Sequence, residues 1–357
     1  MLNIPFKYIK PVMHALDPEK AHTVTIKTLK SGIHPCYKAI DDQKLKVSLW
    51  GKEFPNPVGV SAGFDKNAEV MAPMLKMGFG FTEVGGVTLE PQKGLPKPRI
   101  FRDVPNEAVV NRMNFPNVGS EQFKENMQHF RDSKNGNGLV GVQIAMGENQ
   151  TKAEDDFKPL MEKLGSLSDY MVFNVSCPNT PGLRNLEQKE IFMELASDLI
   201  AHRDNLFGNA GLPLVVKFSP DQNEETQENL AKACLELELD GIILTNTTTT
   251  RPDYLDPALQ ERPGGLSGKP LKDKSTQSIF NYYKHIKGAI PIIGVGGISS
   301  GADAYEKIKA GATLIQLYSA LVYHGPEIAT QICKDLLTFL EKDGYGHLTD
   351  AVGTDHK

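Results

Sequence analysis

One cysteine in a polar setting is the residue in this sequence best suited to proton transfer. Cys177 lies in the segment Asn174-Val-Ser-Cys-Pro-Asn-Thr-Pro-Gly, where the proline removes a backbone donor and forces a turn. A thiol, with an ordinary pKa of about 8.5, can act as a general base if its neighbours favour the thiolate. A lone cysteine is more often a small buried apolar residue. Here Asn174, Ser176 and Asn179 are poor for core packing and suit substrate binding.

Amides, hydroxyls and lysines dominate the positions where short apolar runs of the sequence end. These positions are Ala62, Gly63, Phe64, Asp65, Lys66, Gly86, Gln143, Asn174, Lys217, Thr245, Asn246, Thr247, Gly297, Tyr318 and Ser319. Metal hydrolases and glycosidases would need more carboxylates or histidines here. Neutral hydrogen-bonding groups with lysine suit a planar heterocycle and an anion. Either lysine taken alone is better explained as a solvated rim residue.

Glycines near the end of the apolar runs favour a phosphate site. The sequence has Gly294-Val-Gly-Gly297 after the seventh run, Tyr318-Ser319 after the eighth, and Gly264-Gly-Leu-Ser-Gly268 before them. Glycine lets backbone N–H groups approach phosphate oxygens, and barrels often bind phosphate in the loops after strands 7 and 8. Tight turns alone are the alternative explanation.

The apolar runs predict the strands that position these residues. The eight runs are 56–62, 79–87, 139–145, 170–177, 212–219, 240–247, 290–298 and 313–320, and helical patterns separate them. Near-continuous apolar strands alternating with helices imply a parallel sheet covered on both faces. Eight units predict an α/β fold, a (β/α)8 TIM barrel, with the run ends at one face. A doubly wound sheet is the alternative, but no Gly-x-Gly-x-x-Gly fingerprint follows the first run. The segments 88–120 and 248–270 are predicted to be functional loops.

Composition is that of a globular protein and argues against several partners. The 357 residues are 40% apolar and 23% charged, and the net charge of −5 disfavours nucleic acid as the main partner. No run approaches the about 18 apolar residues of a spanning helix, and no secretory or transit segment is recognisable. Cysteine and histidine spacings predict no disulfide framework and no metal. Cys36, Cys234 and Cys333 are expected to be packing residues.

The first 38 residues predict a small helical extension. An apolar stripe runs through Phe6, Ile9, Val12, Met13 and Leu16. Asp17-Pro18 then starts a second helix that ends near Gly32. Two basic amphipathic helices suit a membrane surface, although composition alone favours a hairpin packed on the main domain.

Seven motifs, in order, resemble those of the dihydroorotate dehydrogenase family over nearly the whole chain. They are AGFDK at 62–66, NRMNF at 111–115, NVSCPNTPGLR at 174–184, TNT at 245–247, GGLSG at 264–268, GVGGI at 294–298 and QLYS at 316–319. LDPEKAH at 16–22 resembles the extension of the class 2, quinone-reducing branch. The resemblance implies FMN, dihydroorotate and a membrane quinone. It also implies a membrane-contacting hairpin over residues 1–38 and a catalytic barrel over 39–357.

The resemblance also implies a role for each matching residue. FMN would be held by Ala62, Gly63, Phe64, Asp65, Lys66, Gly86, Gln143, Asn174, Lys217, Thr245, Gly268, Gly297, Tyr318 and Ser319. Dihydroorotate would be held by Lys66, Asn111, Arg112, Met113, Asn114, Phe115, Asn174, Asn179, Asn246 and Thr247. His22 and Arg102 match positions that line the quinone tunnel. Cys177 would take the C5 proton while a hydride leaves C6 for FMN.

Four positions depart from the usual class 2 pattern. Gly86 stands where threonine is common, Asn114 where glycine is common and Gln143 where asparagine is common. Cys177 is typical of the soluble class 1 enzymes, whereas class 2 members usually carry serine. The N-terminal extension is a whole structural element and outweighs the one atom by which Cys177 differs from serine, so a quinone-linked enzyme of pyrimidine biosynthesis is expected. We expect it to be a peripheral protein on the cytoplasmic face of a bacterial inner membrane. The alternatives are a class 1 enzyme using fumarate or NAD and a non-redox phosphate-binding barrel.

Overall fold

The fold is seen in a computed structural model that describes residues 6–356 apart from 36, 38, 135, 181 and 210. The strands of these described residues are β1 (Val47–Leu49), β2 (Lys52–Phe54), β3 (Val58–Asp65), β4 (Phe81–Val87), β5 (Ile100–Asp103), β6 (Ala108–Asn111), β7 (Val140–Ile144), β8 (Tyr170–Asn174), β9 (Leu214–Phe218), β10 (Gly241–Leu244), β11 (Gly265–Gly268), β12 (Ile292–Val295) and β13 (Leu314–Leu317). Their α-helices are α1 (Phe6–Ala15), α2 (Pro18–Lys30), α3 (Met71–Lys76), α4 (Ser120–Arg131), α5 (Glu154–Leu164), α6 (Lys189–Phe207), α7 (Glu224–Glu236), α8 (Pro257–Gln260), α9 (Lys272–Ile286), α10 (Gly301–Ala310), α11 (Ser319–His324), α12 (Ile328–Asp343) and α13 (Leu348–Ala351).

Eight of the strands form a closed parallel barrel in the order β10-β12-β13-β3-β4-β7-β8-β9. Seven of the predicted apolar runs contain one of these strands, and the run 56–62 overlaps β3, which continues to Asp65. Nearly every residue of the barrel strands is buried, because helices cover their outer faces and side chains fill the interior. The predicted TIM barrel is therefore confirmed, and the carboxyl ends of all its strands meet at one face.

Aromatic rings fill the barrel at the amino-terminal ends of its strands. The antiparallel pair β1–β2 brings Trp50 and Phe54 against Phe81 and Tyr170, with ring centroids 5.2 to 6.5 Å apart. Glycine makes room for the rings, since a Cβ on Gly59 would lie 2.4 Å from Cζ of Phe81. This aromatic floor leaves the opposite half of the barrel for polar side chains.

A second sheet occupies the two segments that were predicted to be loops. β5 and β6 arise from 88–120 and β11 from 248–270, and they form an antiparallel sheet in the order β11-β6-β5. Tyr323 Oη donates to the Ala108 carbonyl at 2.6 Å and so links this sheet to α11. The loop prediction was wrong for these stretches. A strand of four residues is too short to show a clear alternation of apolar and polar residues. In addition, β6 pairs with β11, which lies far away in the sequence.

The N-terminal helices form as the sequence predicts. The carboxylate of Asp17 accepts hydrogen bonds from the backbone N–H groups of Glu19 at 3.1 Å and Lys20 at 3.0 Å, so it caps α2. Of the apolar residues here, Ala21 and Leu29 are buried, whereas others are largely exposed: Tyr8 (65%), Val12 (63%), Val24 (47%) and Ile33 (66%).

Two of the cysteines expected to be packing residues are placed as predicted. Cys234 in α7 and Cys333 in α12 are free thiols that are fully buried in the main core. Cys36 lies outside the described residues. The last residues also pack on the barrel, because the ring of His356 stacks on that of Phe280 with centroids 4.0 Å apart.

Candidate active site

One cavity of about 640 Å³ joins the carboxyl-terminal face of the barrel to the space between α1 and α2. Residues predicted from the strand ends and loops line its barrel side: Ala62, Gly63, Phe64, Lys66, Gly86, Asn111, Met113, Asn114, Phe115, Gln143, Asn174, Cys177, Asn179, Lys217, Thr245, Asn246, Thr247, Gly268, Gly297, Tyr318 and Ser319. His22 and Arg102 line its helical side. The fold thus gathers into one space residues that lie far apart in the sequence.

Two predicted contact residues are not among those that line this cavity. The buried carboxylate of Asp65 accepts hydrogen bonds from the backbone N–H groups of Glu69 at 2.8 Å and Val70 at 2.7 Å. Burial raises its pKa to about 6 despite these bonds. Arg112 instead reaches the Pro96 carbonyl at 3.5 Å. The side chain of Asp65 therefore holds the turn before α3, and that of Arg112 lies on the loop before β5.

Cys177 follows β8 and is buried, with 7% of its surface exposed. Burial raises the pKa of its thiol, while hydrogen bonds from the segment Asn179–Thr180 act in the opposite direction. The thiolate is thus a minor form at neutral pH, but it is a stronger base when it forms. The Thr180 hydroxyl also donates to Asn114 Oδ1 at 2.8 Å, which ties the loop after Cys177 to the segment 111–115.

Amide side chains near Cys177 form a directed chain of hydrogen bonds. Asn174 Nδ2 donates to Gln143 Oε1 at 3.0 Å, which leaves Asn174 Oδ1 as an acceptor. That oxygen accepts hydrogen bonds from the Ser176 hydroxyl at 3.0 Å and from Asn246 Nδ2 at 3.4 Å. The Thr247 N–H then donates to Asn246 Oδ1 at 2.8 Å. Each amide is held in one orientation, as recognition of a ring with N–H and C=O groups requires.

Two lysines, half-buried Lys66 and buried Lys217, bring positive charge to the cavity. Lys66 Nζ donates to the Gly63 carbonyl at 2.6 Å, and burial lowers its pKa to about 8. Lys217 Nζ donates to the Ser61 hydroxyl at 3.3 Å, and burial lowers its pKa as well. Both ammonium groups are therefore placed to meet an anionic ligand.

Glycines and hydroxyls shape the cavity near β11, β12 and β13. A Cβ on Gly297 would lie 2.4 Å from the Lys272 backbone nitrogen, so only glycine permits this approach. The hydroxyls of Ser267 and Ser319 lie 2.8 Å apart. At the end of β10, buried Thr245 Oγ1 has no hydrogen-bond partner among the described residues. This set of groups fits a ligand that carries a phosphate and a polar ring.

The structure accommodates the unusual residues at positions 86, 114 and 143. A Cβ on Gly86 would lie 2.8 Å from Cδ1 of Phe115, so that ring occupies the space a threonine side chain would need. Asn114 has a φ of 56°, a left-handed conformation that asparagine tolerates better than most residues. Gln143 is long enough for its Nε2 to donate to Glu83 at 3.1 Å.

At the helical end of the cavity, Arg102 fastens α1 to β5. Its guanidinium donates to the carbonyls of Met13 at 3.1 Å and His14 at 3.2 Å and to that of Leu16. These carbonyls lie at the end of α1, where a cation is favourable. Burial lowers the pKa of His22 well below its usual value, so its ring is neutral.

Glu83 is a candidate functional residue that the sequence analysis missed. It lies in β4 inside the barrel, is fully buried, and accepts hydrogen bonds from Gln143, Tyr170 and Gln316. A glutamate in the middle of the apolar run 79–87 was the available signal, because a buried charge needs several partners.

The part of the chain that the structure describes contains neither a candidate metal site nor a candidate membrane span. No cluster of three or more His, Cys, Asp or Glu side chains in that part could hold a metal ion. None of the described helices is both long and apolar enough to cross a membrane.

Comparison with known proteins gives the family. A model described as "Dihydroorotate dehydrogenase" matches residues 44–340. The mitochondrial dihydroorotate dehydrogenase (quinone) of Mus musculus is 42% identical over 98% of this chain and 90% of its own length. That of Rhodospirillum rubrum, also of the quinone type, is 44% identical over 97% and 94%. The crystal structure of the Eimeria tenella enzyme with ferulenol has a TM-score of 0.90 at 36% identity and covers 96% of both chains. This chain therefore belongs to the dihydroorotate dehydrogenase family, in its quinone-linked class 2 branch.

Proposed function

We propose that this protein oxidises dihydroorotate to orotate at the barrel end of its cavity and passes the electrons to a quinone at the helical end. The reaction is a step of pyrimidine biosynthesis. The observation that carries the proposal is the continuity of one cavity from Cys177 to the space between α1 and α2. A polar and an apolar substrate can therefore reach opposite ends of the same site. The quinone-type relatives support the same reaction.

Dihydroorotate combines a carboxylate with a ring that carries N–H and C=O groups. The ammonium of Lys66 suits the carboxylate, and the oriented amides of Asn174 and Asn246 suit the ring. The proposed substrate-binding residues are Lys66, Asn111, Arg112, Met113, Asn114, Phe115, Asn174, Asn179, Asn246 and Thr247. Arg112 would have to act from outside the cavity lining.

Cys177 is the proposed catalytic base. Its thiolate takes the proton from C5 of dihydroorotate, and the electrons of that C–H bond form the C5=C6 double bond as a hydride leaves C6. Because burial raises the thiol pKa, the thiolate is a stronger base than an exposed cysteine thiolate once it forms. Lys66 and the asparagines would hold the substrate with its C5 proton next to the sulfur, which lowers the entropy cost of proton transfer.

FMN is the proposed cofactor, and the cavity fits it. The unpaired Thr245 hydroxyl, the buried Lys217 ammonium and the backbone approach at Gly297 suit a flavin ring and its phosphate. The proposed holders are Ala62, Gly63, Phe64, Asp65, Lys66, Gly86, Gln143, Asn174, Lys217, Thr245, Gly268, Gly297, Tyr318 and Ser319. When bound, FMN accepts the hydride and supplies the electrons that reduce quinone.

The hairpin of residues 1–38 is the proposed membrane and quinone unit, and residues 39–357 are the catalytic barrel. Exposed Tyr8, Val12 and Ile33 lie close in sequence to lysines at 7, 10 and 30, as expected of helices that rest on an anionic lipid surface. His22 and Arg102 would line the quinone path at the helical end. The protein would thus be peripheral, on the cytoplasmic face of a bacterial inner membrane.

Anaerobic mixing of the purified protein with dihydroorotate tests the proposal. We expect a yellow protein whose flavin absorbance falls on mixing and returns when quinone is added. Faster return with fumarate or NAD would instead assign the chain a class 1 reaction. Deleting residues 1–35 should abolish quinone turnover while flavin reduction persists. A protein that stayed colourless in excess FMN would be a non-redox barrel.

A further inference from the structure

We propose that Glu83 is a positioning residue for dihydroorotate, acting through the amides of Gln143 and Asn174. Glu83 lies in the barrel interior, two residues along β4 from Phe81 of the aromatic floor, and none of its surface is exposed. It is not among the residues that line the cavity, so it acts through others. The inference rests on the proposed function, because it specifies what holds that substrate site in order.

Three neutral donors meet the Glu83 carboxylate. Gln143 Nε2 donates to Oε1 at 3.1 Å, while Gln316 Nε2 at 2.7 Å and Tyr170 Oη at 3.3 Å donate to Oε2. An ionised carboxylate can only accept hydrogen bonds. Both glutamines must therefore turn their NH2 groups towards Glu83 and their carbonyl oxygens away from it.

This constraint passes along the amide chain to the candidate substrate site. Because the Gln143 NH2 group faces Glu83, its Oε1 is the atom left to accept from Asn174 Nδ2, at 3.0 Å. Asn174 Oδ1 then faces Ser176 and Asn246. It accepts hydrogen bonds from the Ser176 hydroxyl and from the Asn246 NH2 group. The charge on Glu83 thereby fixes which end of each amide is a donor and which is an acceptor.

Glu83 also orients Gln316, which lines the cavity. Its NH2 group is committed to Glu83, and its buried Oε1 has no hydrogen-bond partner among the described residues. By holding the NH2 group, Glu83 therefore also leaves Gln316 Oε1 as a buried acceptor beside the cavity. In addition, its negative charge favours the protonated form of buried Lys217, against the effect of burial.

Gln143 is the residue that makes this link. Its side chain spans from Glu83 on β4 to Asn174 on β8, the two strands that flank β7. An asparagine at this position would be one methylene shorter, and a side chain of that length would have to give up part of this span. Gln143 thus connects the buried Glu83 to the asparagines near Cys177.

The experiment compares Glu83→Gln and Glu83→Asp with wild-type holoenzyme. Glu83→Gln keeps the side-chain volume but replaces one carboxylate oxygen by an NH2 group. A donor would then stand in a place where Gln143, Tyr170 and Gln316 now donate to acceptors. We expect orotate affinity and the rate of flavin reduction by dihydroorotate each to fall about tenfold or more. Reoxidation of dithionite-reduced enzyme by a soluble quinone should stay within about twofold. Glu83→Asp, which keeps the charge but withdraws it by one methylene, should give a smaller loss.

Thr82→Val is the matched control. Thr82 is equally buried, on the same strand, and its hydroxyl has no hydrogen-bond partner among the described residues. All three measurements should match those of the wild type in this variant. Unchanged orotate affinity in both Glu83 variants, or equal slowing of both half-reactions, would overturn the positioning role. If Glu83→Gln fails to keep flavin, Glu83→Asp decides. A wild-type protein that neither binds orotate nor is reduced by dihydroorotate would instead remove the proposed function.

Discussion

Lys66 Nζ lies 3.4 Å from Nε2 of His22, and this contact links the end of β3 to α2. Burial lowers the pKa of Lys66 to about 8 and that of His22 well below its usual value. A cation therefore faces a neutral imidazole, which can accept its hydrogen bond. The barrel end and the helical end of the cavity are joined at this point.

Replacing His22 should affect the quinone step more than the dihydroorotate step. His22→Leu removes the imidazole from the helical end of the cavity but leaves the asparagines near Cys177 in place. We expect quinone turnover to fall about tenfold and anaerobic flavin reduction to change much less. Thr23→Ala is the control, because Thr23 is exposed and its hydroxyl donates to the Glu19 carbonyl of its own helix. Equal losses in both steps would contradict a role at the helical end.

Cys177 variants should separate the chemistry of the base from its packing. Cys177→Ala should lose flavin reduction at neutral pH, and Cys177→Ser should keep part of it with a pH dependence displaced upward, since a hydroxyl is harder to ionise. In the wild type, burial raises the thiol pKa, so the reduction rate should still be rising above about pH 8.5. Stopped-flow absorbance between pH 6 and 10 measures this. Full activity in Cys177→Ala would refute the base assignment.

The pair Glu19–Arg99 should secure the N-terminal hairpin in a pH-dependent way. Glu19 Oε1 lies 2.7 Å from Nη2 of Arg99, and both side chains are largely buried. Burial works against the ionised carboxylate, but hydrogen bonds from Arg99 and Lys97 hold the Glu19 pKa below its usual value. The stabilisation is therefore present above about pH 4.3 and is lost as pH falls through the lower folded pKa.

Glu19→Gln tests this pair, because it leaves the Arg99 charge buried without a carboxylate. We expect a loss of about 3 kcal/mol at pH 7, measured as faster proteolysis of the hairpin and a lower unfolding midpoint. The difference from wild type should shrink below about pH 4. Glu53→Gln is the control, since Glu53 is 62% exposed and 3.4 Å from Lys46. A difference that did not vary with pH would contradict the charge pairing.

Lys307 should make stability rise with pH above neutrality. Its fully buried Nζ donates to Thr276 Oγ1 at 2.9 Å and Ser275 Oγ at 3.1 Å, and burial lowers its pKa to about 7. Between that value and the unfolded pKa of about 10.4, the unfolded chain binds more protons, so this group favours folding as pH rises.

Lys307→Met should remove that slope. Urea unfolding at pH 7 and pH 9 should show the wild type gaining about 2 kcal/mol relative to the variant, whatever the variant's absolute stability. Exposed Lys232→Met, which breaks only a surface pair with Glu228, should keep the wild-type slope. Parallel pH profiles for wild type and Lys307→Met would show that Lys307 titrates normally.

The barrel could be predicted from sequence because its strands are covered on both sides and read as apolar runs. The candidate site residues come together because those runs end at one face. In contrast, the pairing of Ala108–Asn111 with Gly265–Gly268 depends on segments far apart in the chain, which no local pattern connects. The convergence of Gln143, Tyr170 and Gln316 on Glu83 is likewise a property of the closed barrel.

The aromatic floor of Trp50, Phe54, Phe81 and Tyr170 limits the routes by which a proton can leave the barrel interior. Ring carbons conduct no protons, and the Tyr170 hydroxyl at this floor donates its hydrogen bond to Glu83. We therefore expect a proton taken up by Cys177 to leave through the cavity that it lines, which would also admit both substrates. Turnover should then depend on how quickly water exchanges through that shared opening. An apolar ligand bound between α1 and α2 would therefore also slow the loss of the proton from Cys177.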